Sequence, residues 1–234
     1  IGAALACELA RRGVRPILVG RRVAALEATR SALAKPDAAV VMPCDLADAG
    51  AREQLQSAVA ERIHADGGAL RFVVHNAGIG PPSSDVTSLD PGELEQALAV
   101  NTVAPLALTQ AWFPLLRAAS PRARVLLVGA GVADRPQPGT GVYGISKKAL
   151  HRLFEQMVTD LDAEAETASP RVALFRPGVV DTEGLREHCR RARACGLPHV
   201  DYLEAVLARG EAWTPVAVAQ AMGRVLLDAD DARF

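Results

Sequence analysis

Aromatic residues make up only 4% of this 234-residue chain, and lysine occurs at just three positions, Lys35, Lys147 and Lys148. No apolar run approaches the ~18 residues of a bilayer span, so no membrane segment is expected. Charge of one sign is lacking too: 26 basic and 27 acidic residues leave a net charge of −1. That balance excludes a nucleic-acid binder or polybasic membrane module that works through bulk charge. Cys7, Cys44, Cys189 and Cys195 form no CxxC pair and no spacing with histidine that suits zinc, so no metal site is expected. Reduced thiols are the plain reading, with a Cys189–Cys195 contact as the minor one. Residues 1–5 lack the basic n-region of a secretory signal, and a cytoplasmic protein is expected. Apolar residues are plentiful, at half the chain, which is enough for a sizeable core.

Short apolar runs recur at residues 17–19, 40–42, 72–74, 125–128 and 172–175. Each is continuous rather than alternating, the pattern of strands buried on both faces of a parallel sheet. Between them, residues 3–12, 23–33, 51–64, 93–116, 143–161 and 216–227 carry apolar positions at helical spacing. Alternating strands and helices predict an α/β fold with a doubly wound parallel sheet, a Rossmann-like three-layer α/β/α arrangement. No internal repeat or low-complexity linker divides the chain, so residues 1–234 read as one domain. The chain opens directly on a helix and stops soon after another. A first strand and a last strand are therefore expected to be missing from it.

In such sheets ligands sit beyond the carboxyl ends of the strands. The residues leaving the five runs are Gly20-Arg21-Arg22, Cys44-Asp45-Leu46, His75-Asn76-Ala77-Gly78, Gly129-Ala130-Gly131 and Arg176-Pro177-Gly178. Glycines at four of these exits allow a backbone to approach a ligand closely. Asn76-Ala77-Gly78, Asn101, Tyr143-Gly144-Ile145-Ser146-Lys147 and Pro177-Gly178, in that order and spacing, resemble the short-chain dehydrogenase/reductase family across essentially the whole chain. Arg176 to Thr182 and the turn Trp213-Thr214-Pro215 are faintly similar to its sepiapterin-reductase-like members. Ile1-Gly2 resembles the tail of the family's glycine-rich cofactor loop.

Tyr143 and Lys147 lie four apart and share a helix face, so an ammonium stands beside a phenol whose usual pKa is near 10. Such a neighbour favours the phenolate and tunes the phenol for proton exchange. Lys148 points about 100° away and is expected to be solvated. The resemblance implies that Tyr143 is the acid/base, that Lys147 also holds the nicotinamide ribose, and that Asn101 marks a helix kink and supports a proton relay. The family's catalytic serine, thirteen residues before the tyrosine, is here Ala130. Losing one such donor commonly costs about 10²–10³ in turnover. Thr140, Gln137 or a water are the candidates to replace it.

Cofactor preference follows from charge. No carboxylate follows residues 17–19; Arg21 and Arg22 do, and a guanidinium can clamp a 2′-phosphate, so NADP(H) is expected over NAD(H). By resemblance, Asp45 and Leu46 flank the adenine, Asn76, Ala77 and Gly78 line the adenosine ribose, and Pro177, Gly178, Val180 and Thr182 stand at the nicotinamide. Residues 183–212 correspond to the substrate lid, where His188 and His199 read as solvated loop histidines. The expected activity is an NADP(H)-dependent oxidoreduction between a small-molecule carbonyl and a secondary alcohol, pterin-like substrates included. The partner expected is a second copy of the chain, in a dimer or tetramer paired through residues 93–116 and 143–161. The alternative is an NADP(H)-binding sensor or scaffold with little turnover, which Ala130 favours. An epimerase using the same tyrosine and lysine is disfavoured because 234 residues leave little room for a sugar-binding lobe.

Overall fold

The computed structural model describes residues 1–83, 85–119, 123–163 and 169–229. Helix α1 (Gly2–Arg11) ends in a turn at Gly13, where φ is +85°. Next come β1 (Ile17–Gly20), α2 (Val23–Ser31), β2 (Val40–Pro43) and α3 (Ala49–Ala65). β3 (Phe72–His75) leads to α4 (Pro91–Leu98) and α5 (Ala104–Ala118). Then follow β4 (Arg124–Val128), α6 (Gly141–Ala163) and β5 (Arg171–Phe175). The chain continues through α7 (Glu183–Ala194), α8 (His199–Ala208) and α9 (Pro215–Asp228). The helix starts have chemical causes. Asp48, Asp90, Thr182 and Thr214 each accept a first-turn amide, and Pro91 and Pro215 occupy first positions that need no donor.

All strand pairs are parallel, β1 with β2 and β3-β4-β5 in that order. Successive side chains of β4 enter opposite layers. Val125 and Leu127 pack with Leu55, Val59, Leu108, Trp112 and Leu150 from α3, α5 and α6. Leu126 and Val128 pack with Leu5, Leu9, Met222 and Leu226 from α1 and α9. Helices on both faces of a parallel sheet make the fold doubly wound, as the alternation of runs predicts.

Burial of the strands differs from the expectation. Every residue of β4 is buried, whereas β1 and β2 are mostly half-buried. Among the described residues β1 pairs only with β2, and β3 only with β4. A cavity of about 680 Å³ is lined by both β1 and β3, with Leu5, Leu9, Leu108 and Trp112 among its apolar walls. Residues 230–234 lie outside the described residues. No helix among the described residues is long and apolar enough to cross a membrane.

The helix expected over 93–116 is α4 and α5 joined by a π-helical turn, Ala99–Val103. Residues 183–212 form two helices with a small core of their own, Cys189, Ala192 and Val200 packed by Leu185, Leu197, Leu203 and Leu207. The four cysteines are free thiols, Cys44 and Cys189 buried and Cys195 exposed.

Candidate functional site

α6 begins two residues before Tyr143, and the amide of Gly144 closes its first turn by donating to Thr140 O at 2.7 Å. Lys147 follows one turn later, with Nζ over the Tyr143 ring at 5.7 Å from its centroid. Only 2% of Lys147 is exposed, and its Nζ donates to Val128 O at 2.8 Å. Burial pulls the Lys147 ammonium down to about 8 and pushes the Tyr143 phenol up to about 12. This corrects the expectation that the ammonium lowers the phenol. Desolvation dominates both groups, and the ammonium is committed to Val128 O. At neutral pH the phenol is therefore held protonated, ready to give a proton rather than take one.

Asn101 is fully buried inside the π-helical turn. A π-turn opens the helix, and the side-chain amide reaches across the opening to the segment after β3. Its Oδ1 accepts from Ile79 N at 2.9 Å, while Nδ2 donates to Ile79 O at 2.7 Å and to Ser146 Oγ at 2.8 Å. Ser146 Oγ in turn donates to Tyr143 O at 2.9 Å. The mid-helix asparagine thus joins the β3 exit to the tyrosine's own helix.

Gly78 makes room at the centre. A Cβ there would stand 3.3 Å from Lys147 Nζ and 3.4 Å from Asn101 Oδ1. Beyond it, a Cβ on Gly80 would overlap the Tyr143 ring. Ala77 and Gly78 are exposed, so the groove beside Lys147 is open. Asn76 packs on Gly2, where a Cβ would meet Asn76 Nδ2 at 2.7 Å. Ile1 stands at the N-cap of α1. This set suits a nicotinamide dinucleotide: the N-terminus of α1 for phosphate, an open glycine edge, and an ammonium with donors beyond the one given to Val128.

The remaining expected residues divide. Arg21 and Arg22 are exposed at the end of β1 and form no ion pair with the described residues. Asp45 is exposed and accepts from Ala47 N at 3.0 Å, whereas Leu46 packs into the core. Gly178 adopts φ +74° after Pro177, with Trp213 against it. The Val180 side chain is buried with α1 and α9, and its backbone forms a parallel bridge with Trp213. Thr182 Oγ1 accepts from Leu185 N at 3.1 Å and caps α7. Thr140 Oγ1 donates to Gln137 O at 2.7 Å, so that hydroxyl proton is already placed.

Two histidine arrangements were missed from the sequence. His151 lies one turn past Lys147, and Ala130 N donates to its Nε2 at 3.3 Å. Gly129 leaves the space for that ring, since a Cβ there would lie 2.5 Å from His151 Nε2. The shared face of positions 143, 147 and 151 was the available signal. His188 and His199 are not solvated loop residues: His199 is buried and the two Nε2 atoms lie 2.8 Å apart. Lys148 is exposed as expected and pairs with Asp134 at 2.9 Å.

Residues 1–192 match the family model of the short chain dehydrogenases. The 11-beta-hydroxysteroid dehydrogenase type 2 of Homo sapiens is 30% identical over 125 residues, 53% of this chain and 29% of that protein. The Dehydrogenase/reductase SDR family member 2, mitochondrial, of Homo sapiens is 27% identical over 184 residues, 78% of this chain and 62% of that protein. The chain thus spans less than two thirds of either relative. The farnesol dehydrogenase of Aedes aegypti is 29% identical over 88% of this chain and 84% of its own length. Among solved structures, the KRED1-Pglu enzyme matches the fold with TM-score 0.84, 20% identity and coverage of 99% and 92% of the two chains. A 3-oxoacyl (acyl-carrier-protein) reductase from Agrobacterium tumefaciens C58, with NADP bound, has TM-score 0.74 and 26% identity over 95% of this chain and 81% of that one.

Proposed function

Because the chain belongs to the short-chain dehydrogenase family, we propose that it is an NADP(H)-dependent oxidoreductase interconverting a carbonyl and a secondary alcohol. One observation carries the reading: a phenol held protonated by burial stands one helical turn before a buried ammonium, beside an open glycine edge. A nicotinamide cofactor, when bound, supplies the hydride. Tyr143 donates its phenolic proton to the carbonyl oxygen, and Lys147 stabilises the phenolate left behind while holding the ribose hydroxyls. Asn101 and Ser146 fix the first turn of α6, so the phenol keeps its aim. The exposed Arg21 and Arg22, with no carboxylate beside them, favour a 2′-phosphate and hence NADP(H). Residues 1–234 act as one domain in this reading, with α7 and α8 as the substrate lid. A homodimer or tetramer through residues 93–116, in α4 and α5, and residues 143–161 of α6 is the assembly it implies.

Ala130 favours a second reading, an NADP(H)-binding sensor with little turnover, because the usual serine donor is absent and Thr140 is already engaged. NADPH consumption against a panel of ketones, aldehydes, diketones and pterins separates the two. Turnover that drops at least ~100-fold in Tyr143→Phe supports the oxidoreductase. A silent wild type that Ala130→Ser awakens by about 10²–10³ supports the sensor instead. Direct titration should show NADPH binding more tightly than NADH, with the difference shrinking in Arg21→Ala. Equal affinities in the wild type overturn the cofactor assignment.

A further inference from the structure

Three consecutive residues at the end of β4 have a backbone group already committed. Val128 O accepts from Lys147 Nζ at 2.8 Å, Gly129 N donates to Phe175 O at 2.9 Å, and Ala130 N donates to His151 Nε2 at 3.3 Å. Lys147 and His151 stand one turn apart on α6, so the helix that carries Tyr143 holds the segment on either side of Gly129. Further along, Val132 O runs close to Gly144, where a Cβ would meet it at 3.4 Å. The β4 exit is thus laid along the first turns of α6, beside the phenol. His151 is buried, and Gly129 makes room for it, since a Cβ there would lie 2.5 Å from Nε2. An Nε2 that accepts an amide proton carries none itself, so the neutral ring bears its proton on Nδ1. That nitrogen faces Asp134 Oδ2 at 3.8 Å, and the carboxylate is held in turn by Lys148 at 2.9 Å and Arg176 at 2.7 Å.

We propose that His151 is a positioning residue: as the neutral Nδ1–H tautomer it holds the Ala130 amide and locks the exit of β4 to the helix that carries Tyr143. Its two nitrogens face the residues that bracket the short turn Gly131–Ala133, Ala130 before it and Asp134 after it. Ala133 N donates to Ala130 O at 3.2 Å, so both polar groups of the Ala130 backbone are fixed. A second proton on the ring would set an N–H on Nε2 against the N–H of Ala130 and break the contact. The charged groups acting on the ring are Asp134 after the turn, Arg176 after β5, and Lys147 and Lys148 of its own helix. Asp134 favours the charged ring. Burial, the largest influence, and the three cations oppose it, and together they hold the group below its usual 6.5. The contact is therefore made at neutral pH and lost as pH falls through that lowered value. A glutamine side chain reaches as far as Nε2 and offers an oxygen that stays unprotonated, so His151→Gln keeps the contact without its pH dependence.

The consequence for catalysis rests on the oxidoreductase reading; the hold on Ala130 does not. The test is NMR of the whole nitrogen-labelled chain, with no cofactor or substrate added, titrated from neutral to mildly acid pH. The expected result is a His151 ring protonated at Nδ1 and bare at Nε2, with the Ala130 amide shifting at the ring's own midpoint, below 6.5. A ring protonated at Nε2 at neutral pH, or an Ala130 amide indifferent to the ring's titration, overturns the proposal. Hydrogen exchange supplies the second arm. In His151→Gln the Ala130 amide should stay protected, whereas in His151→Phe it should exchange about tenfold faster with β1 unchanged. Equal exchange in the wild type and both variants overturns it. If His151→Phe loosens β1 as well, the wild-type titration and the glutamine variant decide. Where carbonyl reduction is measured, His151→Phe should lower kcat about tenfold with KM within about twofold, and His151→Gln should stay near the wild type. A coupled titration without turnover upholds the hold on Ala130 and sinks the oxidoreductase reading, and turnover with an indifferent amide does the reverse.

Discussion

At position 75 a histidine closes β3 inside the core, its Nε2 2.8 Å from Thr109 Oγ1, and burial drags its pKa down to about 4. The unfolded imidazole takes a proton near 6.5, whereas the folded one waits until about 4. Stability is thus complete above about pH 6.5 and declines as pH falls toward 4, by about 3 kcal/mol from this group. Denaturant titrations from pH 7 to 4 should show that slope in the wild type and a shallower one in His75→Gln. Equal slopes would exclude it. Lys147 brings a second dependence: because its ammonium is pulled to about 8, cofactor affinity should fall as pH rises past that value. The pairing of Tyr143 with Lys147 was legible because helical spacing alone brings them together. Their ionisation was not, since it is decided by partners distant in sequence: Val128 O and the Gly80 loop.

At the scale of elements, polar termini account for where several helices begin and one ends. Arg124, the buried first residue of β4, donates from Nη1 to Val225 O and Leu226 O, both at 2.9 Å, and from Nη2 to Ala229 O. It caps the carbonyl end of α9 from the neighbouring sheet. Arg124→Met should lower unfolding stability by about 2–3 kcal/mol, with the loss showing first as faster amide exchange in α9. Asp48, Asp90 with Pro91, and Thr214 with Pro215 carry recognisable start signals, and the strands are clear from their apolar runs. α7 and α8 were harder to see. α7 is dominated by arginine and glutamate and buries only Cys189 and Ala192. Its helical state comes from packing on α8 rather than from a broad apolar stripe. The π-turn likewise leaves no periodic trace: it is fixed by Asn101 reaching Ile79, a contact between residues 22 positions apart.

Across the whole molecule, the β1-β2 pair and the β3-β4-β5 sheet do not pair with each other among the described residues. The cavity of about 680 Å³ that both border has apolar walls from α1, α5 and the two strands. The doubly wound arrangement was readable from the order of the runs. The uneven burial of the strands was not, because it depends on which edges find partners.

The contact between Gly80 and the phenol ring sets a boundary for protein engineering. Even a single methyl group at position 80 would collide with the aromatic side chain that the proposed chemistry depends on. Libraries meant to broaden the range of compounds accepted should leave that residue untouched and draw their diversity from the outer surfaces of the two cover helices.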